Sequence, residues 1–336
     1  MQLGVSIIIC CYNSEQRLPE TLKHLALQKV PSNIPWEIIL VNNASTDNTV
    51  AASKAAWQKY SLLNVGFSIA DQPIPGLNRA REKGISEAKY EYLIFCDDDN
   101  WLCENYVAAA YNIMEKHTDV GLAGGFGKAV CEITPPDWFK GKKGGYAVSN
   151  GDEPTGDVTV NGHLCGAGMV LRKSVIQSFY EAGFRSLLTD RNGTALSSGG
   201  DAEISKWHIL AEYKLWCDAA LQFEHFIPKE RLTETYVTKL WAGFKTSAPI
   251  EIAYNQFIIF QNELKKKGRG KLLFQNVRMA GMAFIYQSKY RSTFSLYAQN
   301  IKLCLNGIIQ YDKSLYMVQK MLTRPLQQIR NRQVKV

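Results

Sequence analysis

Three consecutive aspartates, Asp97, Asp98 and Asp99, close the apolar run Tyr92-Leu93-Ile94-Phe95-Cys96. Carboxylates packed this closely repel one another unless something cationic offsets them. A hard divalent cation, Mg²⁺ or Mn²⁺, suits such a cluster, because it prefers oxygen ligands and keeps positions open for phosphate. Along an extended strand Asp97 and Asp99 would share one face and Asp98 the other. One of the pair can then ligate metal while its partner meets a sugar hydroxyl. A solvated acidic loop, or the opening of the next helix, accounts for the same residues.

Asp201 is the second candidate. Gly199 and Gly200 let the backbone approach closely, and a helix start favours negative charge; simple N-capping is the plainer account. His225 stands between aromatics in Leu221-Gln222-Phe223-Glu224-His225-Phe226, where a hydrogen-bonded core histidine is as natural as a ligand. His163, near Gly166-Ala167-Gly168, has the same two readings. Trp138 and Phe139 can stack on a sugar ring or plug a loop.

These residues need elements to position them. Val5–Cys10 and Trp36–Val41 read as short buried strands, Asn64–Ile69 as a third and Tyr92–Cys96 as the next. Helical patterns fall between them, through Leu18–Ala26, after Ser45-Thr46-Asp47, and over Gly76–Ala88. Units of this kind indicate βαβ crossovers and a mainly parallel twisted sheet flanked by helices, an α/β class. Ligands in such sheets bind beyond the carboxyl ends of the strands, and those ends carry Cys10–Asn13, Asn42–Asp47 and Asp97–Asp99. Further on, helices are expected over Lys173–Gly183 and from Ser197–Asp201 to Ala211, with short strands at Lys214–Cys217 and Leu221–Phe226. No G-x-G-x-x-G follows the first strand and no P-loop signature occurs, which excludes the usual dinucleotide and P-loop modes.

Composition narrows the class. Of 336 residues 46% are hydrophobic and 21% charged, an ordinary globular balance. No apolar run is long enough to span a membrane and no basic region precedes the first apolar stretch, so the expectation is a cytoplasmic protein. The 8 cysteines show no zinc spacing and read as reduced thiols. Charge is uneven: from Lys229 onward 19 Lys and Arg face 5 Asp and Glu, a local balance of +14 within a chain of formal charge +8. An acidic body joined to a basic tail suggests two jobs, and the expected domains are residues 1–232 and 233–336.

Six segments, in order, resemble the family 2 glycosyltransferases, which have the GT-A fold. Val5–Asn13 is similar to their opening strand and nucleotide-binding turn, and Val41–Asp47 to their V-D-[DN]-[GA]-S-T-D element. Gly76–Gly84 resembles their G-x-x-x-A-R-N-x-G helix, Phe95–Asn100 their D-x-D segment, and Gly200–Ile204 their E-D-x-E-L element. Phe223–Thr233 resembles the segment closing the catalytic domain. The resemblance implies a glycosyltransferase that moves a sugar from a nucleotide-diphospho-sugar, UDP-sugar first, to a hydroxyl, with inversion. Cys11, Tyr12 and Asn42 would line base and ribose, with Arg81 near the nucleotide; Asn13, Trp138 and Gly166 complete the substrate-binding set. Asp97 would hold the ribose, Asp99 and His225 the divalent metal, and Asp201 would deprotonate the acceptor.

Three departures stand out. Cys10 occupies the position of the family's proline before the turn, a packing change. Asn42 occupies the position of the aspartate that usually accepts the uracil N–H, and Gly200 that of the glutamate before the base. The rival readings are a sugar nucleotidyltransferase, whose G-x-G-[ST]-R loop is missing after the first strand, and a catalytically lapsed protein acting as a binding partner. The basic C-terminal helical extension interleaves Lys and Arg with aromatics over Phe274–Tyr290 and Tyr297–Leu305. It suits peripheral contact with an anionic membrane surface, or a helical subdomain with a solvated basic face; the resemblance implies a glycan or polyprenyl-linked acceptor, which would lie at the inner membrane surface. No nucleic-acid motif accompanies the charge.

Overall fold

The computed structural model describes residues 2–60, 65–149, 155–188, 190–191, 198–285, 291–305 and 313–333. Asn64, Ser197 and positions 286–290 of the basic stretch lie outside them. Val5, Ile7, Ile8 and Ile9 are wholly buried in β1 (Gln2–Cys11). A strand apolar on both faces must be covered on both. The parallel block built on it runs β3 (Gly66–Asp71), β2 (Trp36–Asn42), β1, β4 (Tyr90–Asp97), with α1 (Leu18–Ala26), α2 (Thr49–Gln58) and α3 (Leu77–Glu87) as crossovers. Gly84 of α3 lies where a Cβ would meet the side chains of Ile8 and Val41, so glycine lets this helix approach the sheet closely.

Beyond β4 the sheet turns mixed. It continues through β8 (Val170–Arg172), β6 (Val120–Cys131), β9 (Lys214–Ile227) and β5 (Asn100–Leu102), while β7 (Gly156–Asp157) pairs with β9. β8 is antiparallel to both β4 and β6, β5 and β7 are antiparallel to β9, and only β6 and β9 run parallel. The expected mainly parallel sheet holds for β1–β4 and for the long β6–β9 pair; the antiparallel strands β5, β7 and β8 are two or three residues long and carry too little periodicity to read as strands. The two short strands expected around Asp218–Ala220 are one strand, β9, irregular in register where Gly124 and Phe126 face Cys217 and Gln222.

Four further helices, α4 (Tyr106–Lys116), α5 (Lys173–Ala182), α6 (Gly200–Leu210) and α7 (Glu234–Lys267), complete the part that matters for the site. The chain divides into two compact units. One comprises Met1–Glu181 and Leu188–Ser247, the other Ala182–Leu187 and Ala248–Val336. The second holds the end of α7, α8 (Arg269–Ile285), α9 (Arg291–Cys304) and α10 (Lys313–Gln333). Phe260, Leu272 and Cys304 form its small core, and Leu315, Val318, Leu322, Leu326 and Ile329 give α10 a buried stripe at helical spacing. Gly268 ends α7 with φ of +71° and its N–H on the Leu264 carbonyl, a left-handed cap that suits glycine. Among the described residues no helix is long and apolar enough to cross a membrane.

Candidate active site

The parallel register brings the expected rim together. Cys11 pairs with Asn42, Asn42 with Asp71, and Cys10 with Asp97. Asp97 ends β4, and Asp98 and Asp99 form the turn into β5, so the three carboxylates do not alternate along a strand but splay to different partners. Asp98 accepts hydrogen bonds from the Ser14 hydroxyl and from Arg17 Nη2 at 2.6 Å. Asp99 Oδ2 accepts from Arg231 Nη1 at 2.8 Å, and its Oδ1 lies 3.4 Å from His225 Nε2. The cations that offset the cluster are thus, in the first place, the protein's own.

Asp97 differs from its neighbours. It has no hydrogen-bonded cation among the described residues, and burial together with the charge on Asp99 pushes its carboxyl up to about 6, with Arg81 and His225 pulling the other way. Burial also works against the charge on Asp99, yet Arg231 and His225 outweigh it and hold its carboxyl well below the usual carboxylate range. Burial opposes the charge on His225 too, and Asp99 raises its pKa nonetheless. The thiols at the rim are inert: burial pushes Cys10 up to about 12 and raises Cys11 and Cys96 well above the ordinary thiol value.

His225 reaches this place through β9, where it pairs with Asn100 of β5, the residue following the aspartates. Its Nδ1 lies 2.6 Å from the Tyr146 carbonyl oxygen, which can only accept, so Nδ1 carries a hydrogen. Its Nε2 faces Asp99, which favours a proton there; once that proton is lost, the bare Nε2 is the nitrogen that could hold a metal, with Nδ1 fixed by the outer carbonyl. Oxygen and imidazole donors side by side fit Mg²⁺ or, better, Mn²⁺. The described residues contain no group of three His, Cys, Asp or Glu side chains arranged for a metal. The protein would supply two ligands and leave the remaining positions to other groups.

These residues border a cleft of about 350 Å³, lined by Cys10, Cys11, Tyr12 and the three aspartates, and also by Asn43, Arg17, Arg191, His225, Arg231 and Tyr236. Its volume lies in the range of small-ligand sites. Tyr12 is 42% exposed, a flat ring open to a ligand. Asn13, in a left-handed conformation, turns inward: its Oδ1 accepts from the Thr46 N–H at 2.8 Å and its own N–H donates to Ser45 Oγ. Asn13 knits two rim loops rather than lining the cleft. Asn42 donates to Asp71 Oδ1 at 3.0 Å, and its oxygen accepts from the Ser45 N–H. Asn43 accepts from the Gly76 N–H and donates to the Gln72 and Ile74 carbonyls, fixing the loop into α3.

Asp201 stands in the first turn of α6. Its Oδ2 accepts from the Gly166 N–H at 2.9 Å and its Oδ1 from the Ala202 N–H at 2.8 Å, which fix the carboxylate's orientation. Glu203, two residues on, is buried elsewhere and accepts from the Leu188 N–H. Arg81 is 5% exposed, lies over the Phe95 ring at 5.0 Å, and pairs with Asp190 at 3.2 Å rather than lining the cleft. Burial opposes its charge, but Asp190, Asp97 and Asp201 together raise its pKa. Trp138 is also away from the cleft lining, packed edge-on to Phe139 beside the aromatic cluster of Tyr146 and Tyr236.

Arg17, Arg191, Arg231, Asn43 and Asp190 were not singled out by residue pattern. Arg231 had one available signal, its place six residues after His225 in the segment that closes the catalytic domain. Asp190 had an indirect one, the missing side chain at position 200.

A family model described as glycosyl transferase family 2 matches residues 6–179, more than half of the chain, and the chain belongs to that family. A cholesterol galactosyltransferase of Borreliella burgdorferi is 34% identical over 108 residues, 32% of this chain and 28% of that one; the chain spans less than a third of that relative's length. Among solved structures, S. aureus TarS 1-349 in complex with UDP-GlcNAc superposes with a TM-score of 0.52 at 15% identity, covering 98% of this chain and 90% of that one. The mannosyltransferase PcManGT of Pyrobaculum calidifontis, in complex with GDP-Man and Mn²⁺, gives 0.50 at 15%, covering 93% and 88%. The fold is GT-A, an α/β sheet of mixed direction flanked by helices.

Proposed function

We propose that the chain transfers a glycosyl group from a nucleotide-diphospho-sugar, UDP-sugar first, to a hydroxyl of a glycan or polyprenyl-linked acceptor, with inversion. The observation that carries this reading is the strand register: it puts Cys11, Asn42 and Asp97 on one rim, beside a cleft that Arg17, Arg191 and Arg231 also line. Guanidinium groups beside a cluster of carboxylates suit a ligand that brings phosphate charge together with hydroxyl donors. Tyr12 would stack on the base, Asn42 would accept the base N–H through its amide oxygen, and Asp97 would hold the ribose. A Mg²⁺ or Mn²⁺ ion held by Asp99 and His225 would supply positive charge to the departing diphosphate.

The chain's own residues account for the rest. Asp201 takes the proton of the acceptor hydroxyl as its oxygen forms a bond to the anomeric carbon. The bond from that carbon to the diphosphate oxygen breaks, and its electron pair leaves with the nucleoside diphosphate. Attack from the side opposite the leaving group inverts the configuration, and no nucleophilic side chain is needed. Two backbone N–H groups already fix Asp201, so its remaining lone pairs meet the hydroxyl in a set orientation. Arg17 and Arg231 are one-quarter exposed and can donate to the diphosphate as charge builds on it.

The acceptor reading draws its support from the surface chemistry of α8. Lys271, Phe274, Val277 and Arg278 are exposed along one side of α8, with Phe274 at 71%. A basic face with apolar anchors suits an anionic lipid surface, and peripheral attachment at the inner membrane is the corresponding location. A thermal-shift panel of UDP-, GDP- and dTDP-sugars with Mn²⁺, followed by nucleoside diphosphate release on the best donor, tests the reading. Stabilisation by a nucleotide sugar and metal-dependent release are expected; stabilisation by none of them would overturn it.

A further inference from the structure

We propose that Asp190 is a positioning residue for Asp201: arriving from the loop ahead of α6, its carboxylate occupies the space that a side chain at position 200 would fill and holds Arg81 in register with the acceptor side of the site. The inference rests on the reading of Asp201 as the base. Gly200 is the first residue of α6, and its backbone does not require glycine, since its φ lies outside the left-handed range. Space requires it. A Cβ at position 200 would stand 2.6 Å from Asp190 Oδ2 and 2.7 Å from Asn78 Oδ1. The carboxylate that could have projected from the helix therefore comes from the neighbouring loop instead.

The consequence passes through Arg81. Its Nη1 is 3.2 Å from Asp190 Oδ2. Its Nη2 packs against Gly166, 2.7 Å from where a Cβ on that residue would lie, and the Asp201 Cβ is 3.2 Å from the same point. Gly166 in turn donates its N–H to Asp201 Oδ2 at 2.9 Å. One guanidinium thus sits among three carboxylates, Asp190, Asp97 and Asp201, with Asp190 its ion-pair partner. Without Asp190 the nearest remaining acids for the buried cation are Asp97 and Asp201. An ion pair with Asp201 would occupy the lone pairs that the acceptor hydroxyl needs. Asp190 anchors Arg81 so that Asp201 stays available, and Gly200 is the vacancy that lets it do so.

A relocated carboxylate tests this. Asp190→Asn is close in shape and keeps the loop folded while removing the charge. It should lower kcat about tenfold or more and raise donor KM by less, since an Arg81 turned to Asp201 stops the transfer whereas one turned to Asp97 only weakens a ribose contact. Gly200→Glu alone should also lose turnover, as it drives a second acid into the space that Asp190 holds. The double variant Asp190→Ala with Gly200→Glu should recover most of the lost kcat relative to Asp190→Ala, the carboxylate now arriving from the helix. Unchanged kcat in Asp190→Asn, or a double variant no better than Asp190→Ala at equal thermal stability, would overturn the proposal. Asp201→Asn measured alongside separates the two readings: full activity there sinks the base assignment, whereas inactivity there with a silent Asp190→Asn sinks only the role of Asp190.

Discussion

The two sides of the candidate site handle charge differently. At the cleft wall, on the proposed donor side, Arg17 and Arg231 pair with Asp98 and Asp99 while remaining 26% and 24% exposed. Away from the cleft lining, beside the proposed base, Arg81 pairs with Asp190 with both side chains less than a tenth exposed. A partly exposed arginine can turn to an incoming phosphate while its carboxylate keeps another donor, Ser14 for Asp98 and His225 for Asp99, whereas moving the buried Arg81 would strand its charge. The proposed donor side can therefore be rearranged by its ligand, and the other side stays fixed.

The largest expected effect probes the fixed side. Arg81→Ala leaves Asp190 buried beside Asp97 and Asp201 without its cation, and should cost about 3–5 kcal/mol of stability. Chemical unfolding that shows a loss under 1 kcal/mol, roughly what an exposed pair is worth, would erase the distinction between the two sides.

His208, on the helix that carries Asp201, gives the next effect. Burial lowers its pKa to about 4, against the stabilising bond from its Nδ1 to the Ile204 carbonyl. Its folded value lies below the unfolded one, so unfolding takes up a proton on acidification. Stability on this account is complete above about pH 6.5 and declines as pH falls through 4, by up to about 3 kcal/mol. Melting temperature recorded across that window should slope downward in the parent and flatten in His208→Gln.

The rearrangeable side should respond through the ligand rather than the fold. Arg231→Ala should raise donor KM about tenfold with a smaller change in kcat, and cost less stability than Arg81→Ala because His225 stays beside the buried Asp99. It should also tighten binding of Mn²⁺ alone, because Asp99 loses a competing cation; weaker Mn²⁺ binding would mean that Arg231 supports the metal site instead. The smallest effect concerns α8. Phe274→Ala should weaken co-sedimentation with anionic vesicles a few-fold while nucleoside diphosphate release on soluble acceptors persists.

How far residue order alone foretold this molecule varies by region. β1, β2 and β4 were legible because their apolar residues run unbroken and end abruptly in polar rims. β9 read as two pieces because Asp218-Ala219-Ala220 looks like a break, although an irregular register carries the strand across it. The expected strand alternation of Asp97–Asp99 failed because a turn replaces the strand after Asp97. The ion pairs that offset the aspartates join residues 81 and 132 positions apart, and no periodicity records such distances. Gly200 was visible as a departure from the family's pattern, but its meaning required Asp190 to be seen in the same space.

The central claim is that the aspartate turn holds the donor and Asp201 performs the transfer. Titration calorimetry of UDP with Mn²⁺ on Asp99→Ala and Asp201→Asn, with UDP release measured on the same samples, tests it most directly. Asp201→Asn should bind UDP as the parent does and release about a hundredfold less from the donor, while Asp99→Ala should lose metal-dependent binding. Parent-like turnover in Asp201→Asn, or parent-like metal-dependent binding in Asp99→Ala, would contradict the account.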